Sequence, residues 1–428
     1  MKDQGLSKRR RVRNRSALLA VAAASLLATG AAAQRGAIDM FFGDGGVSDF
    51  YRWDGKLSRP GVMLRAEPVG DGFYVDNAAV AQRILYSSTD GRFGRGVVEA
   101  SGLLYLPRGK PPKGGWPLVV WGHGTMGIAD VCAPSWKKPT PRDGTYVDAW
   151  LQRGFAVVAP DYQGLGTRGV HTYVQRKGEG YSTLDAARAA LAAHRGVIAN
   201  KVILTGQSQG SGAVLNATYL QPAYAPDVNL LGTIATALVW RANAKANAES
   251  DVLGPEAHRY YVMRMLGGGL IPGSPSPDSL LSAKGALLRE AARRGCSRDL
   301  VPVAQKEGIN GANAFTRPAP EMAAMLDFPA IPARPLRVPL LIATGLSDTT
   351  IPTSLQYAAV QAMCRRGNHI VWYKYDGVTH SGTSNFALRD AVPFAQRLLE
   401  HDPPASNCAG ITPPGPIQSK DPSIPFQD

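Results

Sequence analysis

Short, nearly continuous apolar runs, most of them ended by Gly or Pro, recur along the chain: Leu118 to Trp121, Ala156 to Ala159, Val202 to Thr205, Leu230 to Ala237, Leu340 to Thr344 and Ile370 to Tyr375. A strand with one face in water alternates apolar and polar residues. Unbroken apolar runs of this length predict strands buried on both faces, in a largely parallel sheet covered by helices. Two β-rich segments come before them, Arg83 to Ser87 and Val97 to Leu106, and the turn residues Asp90-Gly91 between them predict a hairpin. Helical patterns fill the gaps. Ser182 or Thr183 is placed to cap a helix from Leu184 to His194, with Asp185 in its first turn, where the helix dipole favours an acid. Alternating strand and helix signals predict an α/β fold of the doubly wound kind.

The alternation stops between about Asn243 and Pro335. That stretch lacks strand runs and carries helical patterns over Glu256 to Leu266 and Asp278 to Arg294, where Leu280, Leu287, Leu288 and Ala291 share a helical face. It predicts a helical insertion. Pro403, Pro404, Pro413, Pro414 and Pro416, after His401, predict an irregular tail. The chain thus divides into an N-terminal address (1–33), a leader segment without clear periodicity (34–80), a core in two parts (81–242 and 336–402), a helical cap (243–335) and the tail (403–428).

Composition narrows the class. The chain has 428 residues, 44% apolar and 19% charged, which provides a sizeable core and too little charge for a disordered chain. The net charge of +14 raises the question of nucleic acid. Residues 1–33 contribute six of those charges, from seven basic groups against Asp3, and the remaining +8 is spread without a basic run interleaved with aromatics. No nucleic-acid footprint is indicated.

The basic start is followed by an apolar run from Ala17 and by Ala31-Ala32-Ala33, the n-region, h-region and small-x-small order of a secretory signal cleaved after Ala33. Arg9-Arg10-Arg11 also permits twin-arginine export. The expected location is secreted or periplasmic. In an oxidising compartment Cys132, Cys296, Cys364 and Cys408 should pair, with three connectivities open. None has CxxC spacing, and no two histidines have metal-ligand spacing, so neither a metal site nor dithiol redox chemistry is expected.

The run Val202 to Thr205 leads into Gly206-Gln207-Ser208-Gln209-Gly210, and small residues follow. A GxSxG pentapeptide is weak evidence alone. Between a strand and a helix it is a nucleophile elbow, whose sharp turn projects the Ser208 hydroxyl from the end of the sheet. A hydroxyl needs a base at neutral pH. His380 directly follows the strand Ile370 to Tyr375, whereas His369 lies at that strand's other end. His171, His194, His258 and His401 fit surface or helix positions. The base needs an orienting acid, and Asp348 follows the strand Leu340 to Thr344; Asp376 is the competitor. The order Ser208, Asp348, His380 is the one proper to this fold. Two N–H donors are then required for an oxyanion. One is Gln209, after the nucleophile, and the other is assigned to Thr125 in the Gly-rich turn after Trp121, with Met126 and Gly127 as alternatives.

Together these residues resemble the secretory lipases of the fungal lipase A type and their bacterial relatives. The resemblance rests on Gly122-His123-Gly124-Thr125, Cys132-Ala133-Pro134-Ser135, the run Pro160 to Gly166, the elbow, the run Tyr224 to Leu230, and the Asp348 and His380 loops. It implies an α/β-hydrolase core, a helical cap between the sixth and seventh strands, carboxylic-ester substrates and no cofactor. It also suggests disulfides Cys132–Cys296, tying the oxyanion-side loop to the cap, and Cys364–Cys408, bracing the segment that carries His380. The expected partner is a small-molecule or lipid ester, with transient contact at a lipid interface and the oligomeric state left open. A serine peptidase or acyltransferase on the same triad is the nearest rival, because fold and triad do not fix the leaving group. A hydrolase-fold binding protein with an idle triad is the rival from another class.

Overall fold

The computed structural model describes residues 41–242, 257–327 and 330–427. The proposed signal segment, its cleavage site and the first part of the cap lie outside these residues. Nine strands form one sheet among the described residues: β1 Met63–Pro68, β2 Ala78–Thr89, β3 Val97–Pro107, β4 Trp116–Gly122, β5 Ala156–Pro160, β6 Ile198–Gln207, β7 Leu230–Thr236, β8 Leu340–Gly345 and β9 Ile370–Tyr375. Their order is β1-β2-β3-β5-β4-β6-β7-β8-β9. The first three are antiparallel, and β3 is antiparallel to β5. From β5 to β9 every pair is parallel.

All six apolar runs are strands. Their residues alternate between two cores rather than between core and water. Val119, Ile203, Ile234, Leu341 and Val371 face one layer, where they meet helix α1 (Pro141–Gln152) and α8 (Leu388–Leu399). Leu118, Val120, Val202 and Leu204 face the other, against α2 (Arg176–Ala193) and α3 (Gln209–Tyr224). Helix α7 (Thr353–Arg365) covers Leu340 and Ile342 on that second side. Burying both faces removes the polar alternation, which is why the runs are continuous.

Three expectations are corrected. Within the leader, Met63–Pro68 pairs with β2 as an edge strand. Its side chains are half-buried or exposed, so it carries no apolar signal. The cap therefore lies between the seventh and eighth strands, not the sixth and seventh. Helix α2 begins at Arg176, so Ser182 and Thr183 are interior residues, and their hydroxyls bond back to the carbonyls of Gly178 and Glu179 at 2.7 and 2.8 Å. The stretch Asp278 to Arg294 is two helices, Pro277–Leu280 and α5 (Ala283–Arg294). Ser282 caps α5 by accepting the N–H of Gly285 at 3.1 Å. The restart shifts the helical phase: Leu288 and Ala292 are buried, and Leu287 is exposed.

The described part of the cap also holds α4 (Ala257–Leu266) and α6 (Leu300–Glu307). Tyr261, Met263 and Met265 of α4 pack with Leu288, Leu300 and Phe315. Ile128, Tyr173 and Val174 of the core body join this cluster from below. Cys132 is bonded to Cys296 and Cys364 to Cys408. The first bond lies where the cap meets the turn after β4: Gly127 bridges Cys296, and Ser297 donates its N–H to the carbonyl of Met126 at 2.8 Å.

Candidate active site

The parallel strands end together at one edge of the sheet, and their C-terminal loops meet there. Strand β6 runs into Ser208, whose φ of 55° and ψ of −122° place an L-residue in a strained region. Such a conformation costs on the order of 1–3 kcal/mol and persists only where the surroundings enforce it. Two glycines permit the turn. A Cβ on Gly206 would lie 2.2 Å from the carbonyl oxygen of Gly210, and one on Gly210 would lie 1.9 Å from that of Gly122.

The loops after β8 and β9 supply the other two groups. His380 Nδ1 lies 2.9 Å from Asp348 Oδ2, and His380 Nε2 lies 2.9 Å from Ser208 Oγ. With Nδ1–H donating to the carboxylate, Nε2 accepts the hydroxyl proton of Ser208. Asp348 is fully buried. It also accepts the N–H groups of Thr350 and Ile351, each at 2.9 Å, and the amide of Gln356 at 3.0 Å. Donors on both oxygens hold the carboxylate plane toward the imidazole. Gln207 Nε2 donates to the carbonyl of His380 at 3.1 Å, linking the His380 loop to the turn at Ser208. The competitor Asp376 instead accepts from the tail residue Gln418, through Nε2, at 2.7 Å.

A cleft opens over Ser208. Thr125 and Gln209 line it beside Ser208, Val174, Val239 and Ile351 give it apolar walls, and Tyr260 and Arg264 of α4 reach it from the cap. The Thr125 hydroxyl shares a 2.7 Å hydrogen bond with Tyr173 OH. Met126 and Gly127 are instead engaged at the junction with Cys296 and Ser297.

The structure also places residues that the sequence pattern did not single out. His171 is not a surface residue: it is completely buried beneath Gln209, and desolvation pushes its pKa down to about 3. Glu179 lies beside it, and burial raises its carboxyl to about 8. His258 is buried in the cap helix. The bond Cys364–Cys408 braces the start of β9, where Asn407 donates its N–H to the carbonyl of Ile370, and not the His380 end. The loop that carries His380 is held instead by the tail, through Gln418 and Gln427.

Residues 138–250, which include α2, the elbow and β7, match the family model of secretory lipases. Over 349 residues the chain is 28% identical to lipase A of Arthroderma benhamiae, an alignment covering 72% of this chain and 70% of that protein. Over this span the chain is similar to the secretory lipases. A secreted triacylglycerol lipase of Malassezia furfur is 24% identical over 60% of this chain, which spans half of that relative's length. Two solved structures share the fold of this chain. The closed state of Candida antarctica lipase A superposes with a TM-score of 0.58 at 19% identity, covering 85% of this chain and 86% of that one. A rice cell wall degrading esterase from Xanthomonas oryzae gives 0.61 at 20% identity, covering 81% and 100%. No helix among the described residues is long and apolar enough to cross a membrane.

Proposed function

We propose that the chain is an exported serine hydrolase that cleaves carboxylic esters through an acyl-enzyme. Ser208 Oγ attacks the acyl carbonyl while its proton passes to His380 Nε2, and Asp348 steadies the imidazolium that forms. The N–H groups of Gln209 and Thr125 receive the oxyanion. Collapse of the tetrahedral intermediate transfers the proton from His380 to the departing alcohol. Water then enters, loses a proton to His380 and releases the acid.

The observation that carries this reading is the pair of 2.9 Å contacts through which one imidazole joins the Ser208 hydroxyl to a buried carboxylate. The strained Ser208 backbone supports it, since such strain clusters at functional sites. Thr125 is preferred to Met126 and Gly127 because it lines the cleft beside Ser208. The cleft's apolar walls suit an acyl chain, and the curated relatives named as lipases fit a small-molecule or lipid ester as substrate.

The test is hydrolysis of p-nitrophenyl esters from C2 to C16, with labelling by a fluorophosphonate probe. Turnover and labelling in the wild type, both lost in Ser208→Ala, are expected. Retained turnover in that variant would sink the assignment. Secretion is expected to follow cleavage after Ala33, checked by sequencing the N-terminus of the exported protein.

A further inference from the structure

The catalytic geometry rests on a buried acid that the mechanism above does not use. Glu179, in α2, is 1% exposed. Its Oε1 accepts two hydrogen bonds of 2.7 Å, from the side-chain amide of Gln209 and from the backbone N–H of Val174. Gln209 Nε2 lies 2.9 Å from His171 Nε2, and His171 Nδ1 lies 3.1 Å from the carbonyl of Gln163. Neutral His171 therefore donates from Nδ1 and accepts at Nε2, so both protons of the Gln209 amide are used. The residue whose backbone N–H follows the nucleophile is thus anchored from below.

The second bond reaches the wall of the cleft. Val174 has φ of 57°, a left-handed conformation that is unfavourable for a β-branched residue. Its N–H is held by Glu179, and the adjacent Tyr173 bonds the Thr125 hydroxyl. One carboxyl oxygen therefore connects both oxyanion-side segments, that of Gln209 directly and that of Thr125 through Tyr173.

We propose that Glu179 is a positioning residue that works as the neutral acid, holding Gln209 and the Tyr173–Val174 wall in register with Ser208, and that its ionisation sets an alkaline limit to activity. The inference rests on the assignment of Gln209 as an oxyanion donor. A negative charge formed directly under that donor opposes the negative charge developing on the substrate oxygen. Burial is the dominant influence on the carboxyl, outweighing the bonds from Gln209 and Val174 and the positive charge of Arg264. The other groups that face it keep their charge through the same range. His171 stays neutral because burial drives it down, and Tyr162 and Tyr173 stay neutral because burial drives them up. Arg264, reaching in from the cap, falls only to about 10. Arg176 and Lys177 on α2 itself precede the buried turn that carries Glu179.

The test compares the full-length wild type with Glu179→Gln and Glu179→Ala, reading kcat and KM on p-nitrophenyl butyrate from pH 6 to 10. Gln keeps the shape and neutrality of the protonated acid, so its kcat at pH 7 should stay within a few-fold of wild type. Its one-proton alkaline limb, expected near 8 in the wild type, should vanish. Ala should lower kcat by about tenfold or more, with KM changed far less. An alkaline limb unchanged in Glu179→Gln, or an unchanged kcat in Glu179→Ala, would overturn the proposal. Infrared difference spectra separate the titration from the chemistry. The wild type minus Glu179→Gln should show a carboxylic-acid C=O band at pH 7 that disappears above pH 8. Its absence would overturn the proposal even if esters are hydrolysed, whereas a wild type that titrates as stated but neither turns over nor labels would overturn the ester-hydrolase reading and the positioning role with it.

Discussion

Gln427 accepts the backbone N–H of Thr379 through Oε1 at 2.8 Å, and Thr379 immediately precedes His380. The carbonyl of Gln427 accepts the Thr379 hydroxyl at 2.7 Å, and its Nε2 donates to the carbonyl of Gly377 at 2.8 Å. Nearby, Gln418 donates its N–H to the carbonyl of Leu346 and accepts that of Gly377, while Ser347 bonds the carbonyl of Ser419. The tail is therefore a strap across the two loops that carry Asp348 and His380.

Gln427→Ala should accordingly lower kcat more than it lowers stability. Each lost bond is worth about 1 kcal/mol of net stability, while a displacement of about 1 Å in a catalytic group can cost on the order of 10²-fold in rate. We expect a fall of about tenfold in kcat with KM nearly unchanged. Steady-state kinetics beside a thermal melt would check this, and an unchanged kcat would mean that the base loop holds itself.

Asp348→Asn should leave the protein folded and cut kcat severely, by up to about 10⁴, because an amide cannot fix the imidazole in the required tautomer. Asp376→Asn should cost little, since that carboxylate bonds only the tail residue Gln418 among the contacts described for it. Rates of the two variants under one substrate concentration series decide the matter. The reverse ranking would move the acid to Asp376.

These contrasts show which features local sequence could carry. Strands β4 to β9 were legible because burial on both faces makes each a continuous apolar run. Strand β1 was not, because as a half-exposed edge it has no such run. The start of α2 was hidden by Gly178 and Gly180, which weaken the helix signal, and by hydroxyls that look like caps but bond back within the helix. Gly178 packs against the Thr172 side chain, so the reason for it is tertiary. At the site, Ser208, Asp348 and His380 could be named because each follows an apolar run directly. Glu179, His171 and Gln427 act through partners 30, 38 and 48 positions away, and no local pattern records such contacts.

Glu179 also makes stability depend on pH. In the unfolded chain its carboxyl loses its proton near 4.5, whereas burial holds the proton to about 8 in the folded state. Between those values the folded state binds the extra proton, so stability is greatest at the acidic end and falls as pH rises through the window. The slope contributed by one such group is at most about 1.4 kcal/mol per pH unit. Burial raises Asp161 and Asp185 in the same direction. Urea unfolding of wild type and Glu179→Gln at pH 5, 6, 7 and 8 should show a shallower decline in the variant. Parallel curves would place the folded-state proton elsewhere.

The bond between Cys132 and Cys296 closes a separation of 164 residues, and in the chain-entropy model a loop of that size contributes about 5 kcal/mol. Its position gives it a second effect. It fixes the junction where Gly127 bridges Cys296 and Met126 accepts the N–H of Ser297, immediately after Thr125 and below the cap cluster. Of the apolar residues of α4, Tyr260 lines the cleft, whereas Tyr261, Met263 and Met265 are buried within the cap cluster, so the cap shapes the acyl site chiefly by where it is held. Replacing both cysteines by Ser should therefore lower the melting temperature and shift the ranking of p-nitrophenyl esters by chain length. Fluorophosphonate labelling of Ser208 should persist, because the Ser208–His380–Asp348 contacts lie on strand-end loops that the bond does not touch. A variant with lowered stability but the wild-type ester ranking would show that the cap keeps its place over the cleft by packing alone.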